Sequence, residues 1–249
     1  MVGMLVYWNT LVKRLKLSSI SVERRNSVSW ISFLGRNSLE YPEKIAIIEQ
    51  GTGQSLTYRE LETQVDQWTY WLENLGVKKG DRVAYLSCNS KEHLLLLFAC
   101  ARLGAILNPM NFRLSEGELR HQVAFSTPKV IITHKEFDGI FQRSFLIDDI
   151  KLGNVSKTDL SNNDHAALML FTSGSTGEPK GVLFHGKMLE TNIQMTCKMW
   201  NLVPSDITMV ETPFFHTGGY NVLCLPLLWL GGTSILAEKF DPQNVVSFC

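Results

Sequence analysis

Ten consecutive residues, Thr172-Ser173-Gly174-Ser175-Thr176-Gly177-Glu178-Pro179-Lys180-Gly181, carry three glycines, four hydroxyl side chains, one proline and one lysine. That mixture suits a polyanion. Glycine lets successive backbone N–H groups turn toward one point, Ser and Thr add donors, and Lys adds a mobile positive charge. A triphosphate is the guest such a loop predicts. Spacing excludes two well-known phosphate loops. A Walker pattern counted from Gly174 would put Pro179 where its second glycine belongs, and Gly174, Gly177 and Gly181 are spaced by three and four, not as G-x-G-x-x-G. A solvated Ser/Gly linker is the plain alternative. It fits less well, because the string directly follows Ala166-Ala167-Leu168-Met169-Leu170-Phe171, an apolar run of strand length.

A second cluster follows the segment Asp206–Glu211: Thr212-Pro213-Phe214-Phe215-His216-Thr217-Gly218-Gly219. An imidazole beside two glycines makes a pocket wall, with the glycines admitting a ligand closely and His216 offering a donor or an acceptor. Taken alone, His216 reads as a structural histidine. His93, His121, His134, His165 and His185 have no partners at metal-ligand or triad spacing, and neither Ser173 nor Ser175 sits in G-x-S-x-G. The five cysteines, Cys88, Cys100, Cys197, Cys224 and Cys249, are odd in number and widely spaced. They read as free thiols in a reducing compartment, with the cytoplasm as default.

The string Thr172–Gly181 resembles, over all ten positions, the signature of the adenylate-forming superfamily. That superfamily includes acyl-CoA synthetases, firefly luciferase and the adenylation domains of peptide synthetases. The resemblance implies that Thr172, Ser173, Gly174, Ser175, Thr176, Gly177 and Lys180 hold the β- and γ-phosphates of ATP while a carboxylate attacks the α-phosphorus. Thr176 and Lys180 would be the catalytic members, acting electrostatically, and Thr172 the hydroxyl nearest Mg²⁺. The segment from Pro213 is similar to the family's P-x-F-H-x-x-G, which implies that His216, Gly218 and Gly219 border the acid and the thiol channel. Its Phe-Phe-His form looks more like acyl-CoA synthetases than amino-acid-activating domains. Asn111-Phe112-Arg113-Leu114-Ser115 is similar to another family segment and is expected to be structural.

The implied reaction is adenylation of a carboxylic acid, expected to be a fatty acid, with ATP and Mg²⁺, and acyl transfer to coenzyme A. The resemblance runs from Val28 to the end. The family's Tyr-Gly-x-Thr-Glu segment, ribose-binding Asp, hinge and small domain with a catalytic Lys have no counterpart here, so a truncated, inactive fragment is expected. Two alternatives stay open: a non-catalytic remnant, and an aryl- or amino-acid-activating branch of the superfamily.

The elements that must position these motifs are legible. Thr57-Tyr58-Arg59-Glu60 is a capping box, and Tyr58, Leu61, Val65, Trp68, Leu72 and Leu75 form one helical stripe ended by Gly76. Strands are expected at Ile45–Ile48, Ser55–Thr57, Arg82–Leu86, Ala105–Leu107, Val130–Thr133 and Asp206–Glu211. The run Leu94–Ala101 is apolar all round, hence a buried helix too short to span a bilayer. Ser115–Glu118 is a second capping box. Gly186–Trp200 reads as a helix with Met188, Leu189, Ile193, Thr196 and Trp200 on one side. Val222–Leu230 suits an acyl pocket or plain core, with Pro226 kinking any helix there. Strand–helix alternation predicts an α/β fold with largely parallel sheets.

The polar stretch Asp148–Asp164 suggests a boundary: residues 28–160 as a first α/β subdomain, and residues 161–249 as an incomplete second one bearing the phosphate loop. Residues 1–27 are a basic leader, with five cations against Glu23. It lacks a secretory core, and contact with a membrane surface is open, as is a homodimer. Over 249 residues, Lys plus Arg equal Asp plus Glu at 24 each, which gives no basic surface for nucleic acid.

Overall fold

A computed structural model of the chain describes residues 29–155, 165–172 and 179–243. The expected leader lies outside them, as do Ser173 to Glu178 and Cys249. The chain forms two compact units, each discontinuous in sequence. One takes residues up to Glu62, Asn89–Lys91 and Leu189 onward; the other takes Thr63–Cys88 and Glu92–Met188. The α/β class and largely parallel sheets are as expected. The division is not the expected one near residue 160, because the strand after that point pairs into the sheet of the residues before it.

The first unit holds a four-stranded sheet, β2-β1-β10-β9, from β1 (Ile45–Glu49), β2 (Ser55–Thr57), β9 (Ile207–Val210) and β10 (Thr233–Leu236). β1, β10 and β9 are parallel, with Ile47 opposite Ser234 and Ile235 opposite Met209; only β2 is antiparallel. α1 (Phe33–Glu40) packs on α7 (Cys224–Leu230), with the Phe33 and Trp229 rings 5.5 Å apart. Asn37 Nδ2 donates to the Leu228 carbonyl at 2.7 Å, and the Tyr58 hydroxyl donates to that of Gly232 at 2.6 Å. All seven residues of α7 are buried. The Val222–Leu230 stretch therefore supplies core from Leu223 onward. Pro226 does not kink it, because the third position of a helix has no intrahelical use for its N–H.

The second unit holds a six-stranded sheet, β6-β5-β3-β4-β7-β8. Its strands are β3 (Arg82–Leu86), β4 (Ile106–Pro109), β5 (Val130–Thr133), β6 (Phe145–Leu146), β7 (Ala166–Thr172) and β8 (Lys180–His185). All pairings are parallel except β7 with β8. α2 (Tyr58–Asn74) starts in the first unit and runs into the second. Its capping box is formed: the Thr57 N–H donates to Glu60 Oε2 at 2.8 Å, and the Glu60 N–H donates to Thr57 Oγ1 at 3.2 Å. α3 (Glu92–Leu103) is buried over His93–Arg102, with the Arg102 guanidinium paired to Asp66 of α2. α4 (Glu116–Ser126) opens on the Ser115–Glu118 box and covers a core of Ala84, Leu86, Met110, Leu119 and Phe141. Among the described residues no helix is long and apolar enough to cross a membrane.

α5 (Gly186–Met199) departs in detail from the expected face. Gly186, Leu189, Ile193 and Cys197 are its buried residues, spaced by three and four, while Met188 is 51% exposed. The four described cysteines are all free and buried. Burial pushes the Cys100 thiol well up and the Cys224 thiol to about 12, so neither is a nucleophile at neutral pH. His93 is buried against the Tyr85 ring at 4.6 Å, and His165 Nε2 lies 3.0 Å from the Ala101 carbonyl. Both are satisfied histidines.

Candidate functional site

Thr172 is the last residue of β7 and Lys180 the first of β8, and they face each other across the hairpin. Directly opposed antiparallel residues have Cβ atoms about 4.5–5.5 Å apart. The feet of the Gly/Ser/Thr loop are thus a hydroxyl and an ammonium side by side, both exposed. Ser173, Gly174, Ser175, Thr176 and Gly177 lie outside the described residues. One step back, Phe171 faces Gly181, and alternation turns that pair to the other side of the hairpin. There Phe171 meets Phe125 of α4 edge-on, with centroids 5.7 Å apart. A Cβ on Gly181 would come within 3.1 Å of Met169 Sδ and 3.5 Å of Phe125. Gly181 makes room for the neck's own packing.

The second motif belongs to the other unit. After β9 the chain turns through Thr212-Pro213-Phe214-Phe215 and enters a short helix, α6 (Thr217–Asn221), with His216 at its N-cap. Phe214 and Phe215 are buried, whereas His216 is exposed. The Phe214 ring rests on Tyr220 at 4.6 Å, and the His216 N–H donates to the Pro213 carbonyl at 3.0 Å. A Cβ on Gly219 would lie 2.7 Å from the Pro213 carbonyl oxygen and 2.9 Å from Phe214 Cα. One on Gly218 would lie 2.8 Å from Thr212 Cγ2. What approaches these glycines closely is the loop itself. Just before the turn, Glu211 is half-buried, and its carboxyl is held above the ordinary range, chiefly by burial, with the Asp241 carboxylate adding to the rise and the Asp241 N–H opposing it.

A family model for AMP-binding enzymes matches residues 34–249, a span that includes both motifs. The chain belongs to the AMP-binding enzyme family. Within it, feruloyl-CoA synthase of an Amycolatopsis species is 36% identical over 215 residues, covering 83% of this chain and 43% of its own. Indoleacetate–CoA ligase of Aromatoleum aromaticum is 30% identical over 229 residues, again covering 83% and 43%. The solved O-succinylbenzoate coenzyme A synthetase of Bacillus subtilis, in complex with AMP, has a TM-score of 0.79 at 24% identity, covering 86% of this chain and 57% of that one. That likeness is one of fold. The chain spans less than half the length of these curated relatives. Their names do not single out a fatty acid.

For an AMP-binding enzyme the hairpin neck has a fitting donor set: the exposed Lys180 cation and the exposed Thr172 hydroxyl. The Thr172 hydroxyl would offer Mg²⁺ one oxygen ligand, a donor type that this ion accepts. Two residues near the motifs escape a motif-based reading. Phe125, 59% exposed, braces the neck, and Asn89 touches the His216 loop. Phe125 carried no signal beyond being apolar at a helix's end. Asn89 carried one: it follows the carboxyl end of a parallel strand, where ligands of open α/β sheets bind.

Proposed function

We propose that this chain is the ATP-handling part of an acid–CoA ligase. The carboxylate oxygen of the acid attacks the α-phosphorus of ATP and the bond to pyrophosphate breaks. The thiol sulfur of coenzyme A then attacks the acyl carbon, with AMP leaving. The observation that carries this reading is the Thr172–Lys180 pair at the feet of the signature loop. Lys180, with donors from Thr172 to Thr176, offsets charge on the β- and γ-phosphates. Mg²⁺, when bound with the nucleotide, neutralises further phosphate charge. His216, held on a rigid turn, lies on the acid side of the chemistry.

The acid is the finer question. The resemblance to acyl-CoA synthetases suggests a fatty acid, whereas the residues of α7 are all buried. The feruloyl and indoleacetate relatives favour an aromatic carboxylic acid. Buried free thiols support a reducing compartment, the cytoplasm. The test is acid-dependent ATP–pyrophosphate exchange by the ligase at its relatives' full length, with ferulate, indoleacetate and a graded series of fatty acids. Exchange driven by one acid class assigns the substrate. Exchange that is unchanged in Thr176→Ala and Lys180→Ala would sink the loop assignment.

A further inference from the structure

The last backbone rung between β10 and β9 is the Ala237 N–H donating to the Val210 carbonyl at 3.0 Å. Beyond it the two chains part, and the side chain of Asn89 takes over. Its Nδ2 donates to the Thr212 and Ala237 carbonyls, each at 3.2 Å, and its Oδ1 accepts the Phe214 N–H at 3.0 Å. A primary amide has two N–H donors and one carbonyl acceptor. Here all are used, on three backbone groups of two separate segments, by a residue only 6% exposed. The Asn89 N–H also donates to the Glu238 carbonyl at 3.3 Å. Two residues on, Lys91 is fixed to the end of β1: its N–H donates to Glu49 Oε1 at 3.1 Å and its ammonium pairs with Glu49 Oε2 at 2.7 Å. Asn89–Lys91 therefore spans the carboxyl ends of β9, β10 and β1 while the residues on either side belong to the other unit.

We propose that Asn89 is a positioning residue that sets the His216 turn. Its amide fixes Thr212 and Phe214; Pro213, held between them, accepts the His216 N–H and abuts Gly219. The imidazole is thereby placed from two residues away, without Asn89 touching it. The catalytic consequence rests on the assignment of His216 to the acid side; the positioning itself does not. A buried Asn serving only general stability would lower the melting temperature and leave the imidazole's surroundings alone.

The experiment compares the unaltered chain with Asn89→Asp, which keeps the acceptor and turns both donors into repulsion, and with Asn89→Ser. Histidine-ring NMR and amide hydrogen exchange are the readouts. Positioning predicts a shifted or doubled His216 ring signal and roughly tenfold faster exchange at Phe214 and Gly219, the size expected for one lost hydrogen bond, with β3 and β5 amides unchanged. A lower melting temperature with an unchanged His216 signal and unchanged exchange overturns it. Should both variants fail to fold, the unaltered chain decides: slow exchange at the Phe214 amide supports the contact, and exchange as fast as at exposed Thr217 overturns it. In the full-length ligase Asn89→Asp should raise KM for the acid roughly tenfold and leave KM for ATP within about twofold. Absence of any acid-dependent exchange in the unaltered ligase would defeat the functional reading alone, since the NMR result stands apart from turnover.

Discussion

At the neck of the β7–β8 hairpin, Thr172 and Lys180 are exposed and bonded to the fold through strand pairing. At the end of β9, by contrast, the turn from Thr212 to His216 is fastened by a buried amide, two buried phenylalanines and two glycines that touch its own backbone or side chains. Both stretches are glycine-bearing strand ends, and in sequence they look alike. In the first, of the three glycines only Gly181 lies among the described residues, and it faces the side chains of Met169 and Phe125. The second uses its glycines to let one piece of backbone rest on another. A glycine in a recognisable motif is thus no guide to whether a ligand or the protein itself fills the space beside it.

Activity and stability should separate along this line. In the full-length ligase, Lys180→Ala should slow acid-dependent pyrophosphate exchange roughly 10²-fold, as loss of a preorganised charge-stabilising group does. Thermal unfolding should move by no more than about 0.5 kcal/mol, since the side chain is exposed. Gly219→Ala should do the reverse first. Its Cβ meets backbone atoms that cannot yield, so urea unfolding should show a loss of about 3 kcal/mol, at the upper end of overpacking costs. That corresponds to a melting temperature lower by roughly 6–12 °C for a chain of this size. Gly181→Ala meets the flexible end of Met169 instead and should cost less than about 1 kcal/mol. Equal losses for the two substitutions would erase the distinction between the regions.

Acidity offers a finer probe. The Glu211 carboxyl is raised, mainly by burial. Between the ordinary value of about 4.3 and its own, the folded chain holds a proton the unfolded chain has lost, so stability falls as pH rises through that window. Glu211→Gln should therefore stabilise the chain at pH 7, with the gain vanishing below about pH 4, as read from urea midpoints across pH. The smallest effect belongs to the helix starts. Glu60 is lowered chiefly by the Thr57 N–H, and Glu118 chiefly by the Ser115 hydroxyl. Their contribution is present above the ordinary carboxylate value and lost as pH falls through their own lower values. Glu118→Gln should shallow that acid limb, opposite in sign to the Glu211 effect.

Local signals in the sequence carried far. Both capping boxes, the α2 stripe, the buried α3 and the parallel strands all follow from patterns contained within a few turns. What escaped depends on distant partners. Lys180–His185 is a strand because β7 offers it an edge; alone, Val182-Leu183-Phe184 shows too short a pattern to say so. The face of α5 drifted by one residue because Met188 and Leu189 are equally apolar, and only packing distinguishes them. The role of Asn89 shows only once the Thr212 and Ala237 carbonyls, more than a hundred positions away, are placed beside it. The close approach of Thr212 to Gly218, and of Pro213 and Phe214 to Gly219, likewise shows only in the folded turn. Ser173 to Gly177, at the centre of the functional reading, rest on sequence resemblance alone.

The interleaving of the two units has a consequence for synthesis. Ile45, in β1, accepts the Thr233 hydroxyl from 188 residues downstream, and β1 pairs with β10 along that same stretch. On a ribosome, β1 and β2 emerge first and wait for almost the whole chain, while every strand of the six-stranded sheet is available once residue 185 has appeared. Loop-closure entropy delays such distant pairings. The nascent chain therefore carries β1 with its β10 edge unpaired past a neighbour already able to fold, and pulse proteolysis of chains stalled near residue 220 should find β3 to β8 protected and β1 cut. The order of birth and the order of folding run in opposite directions.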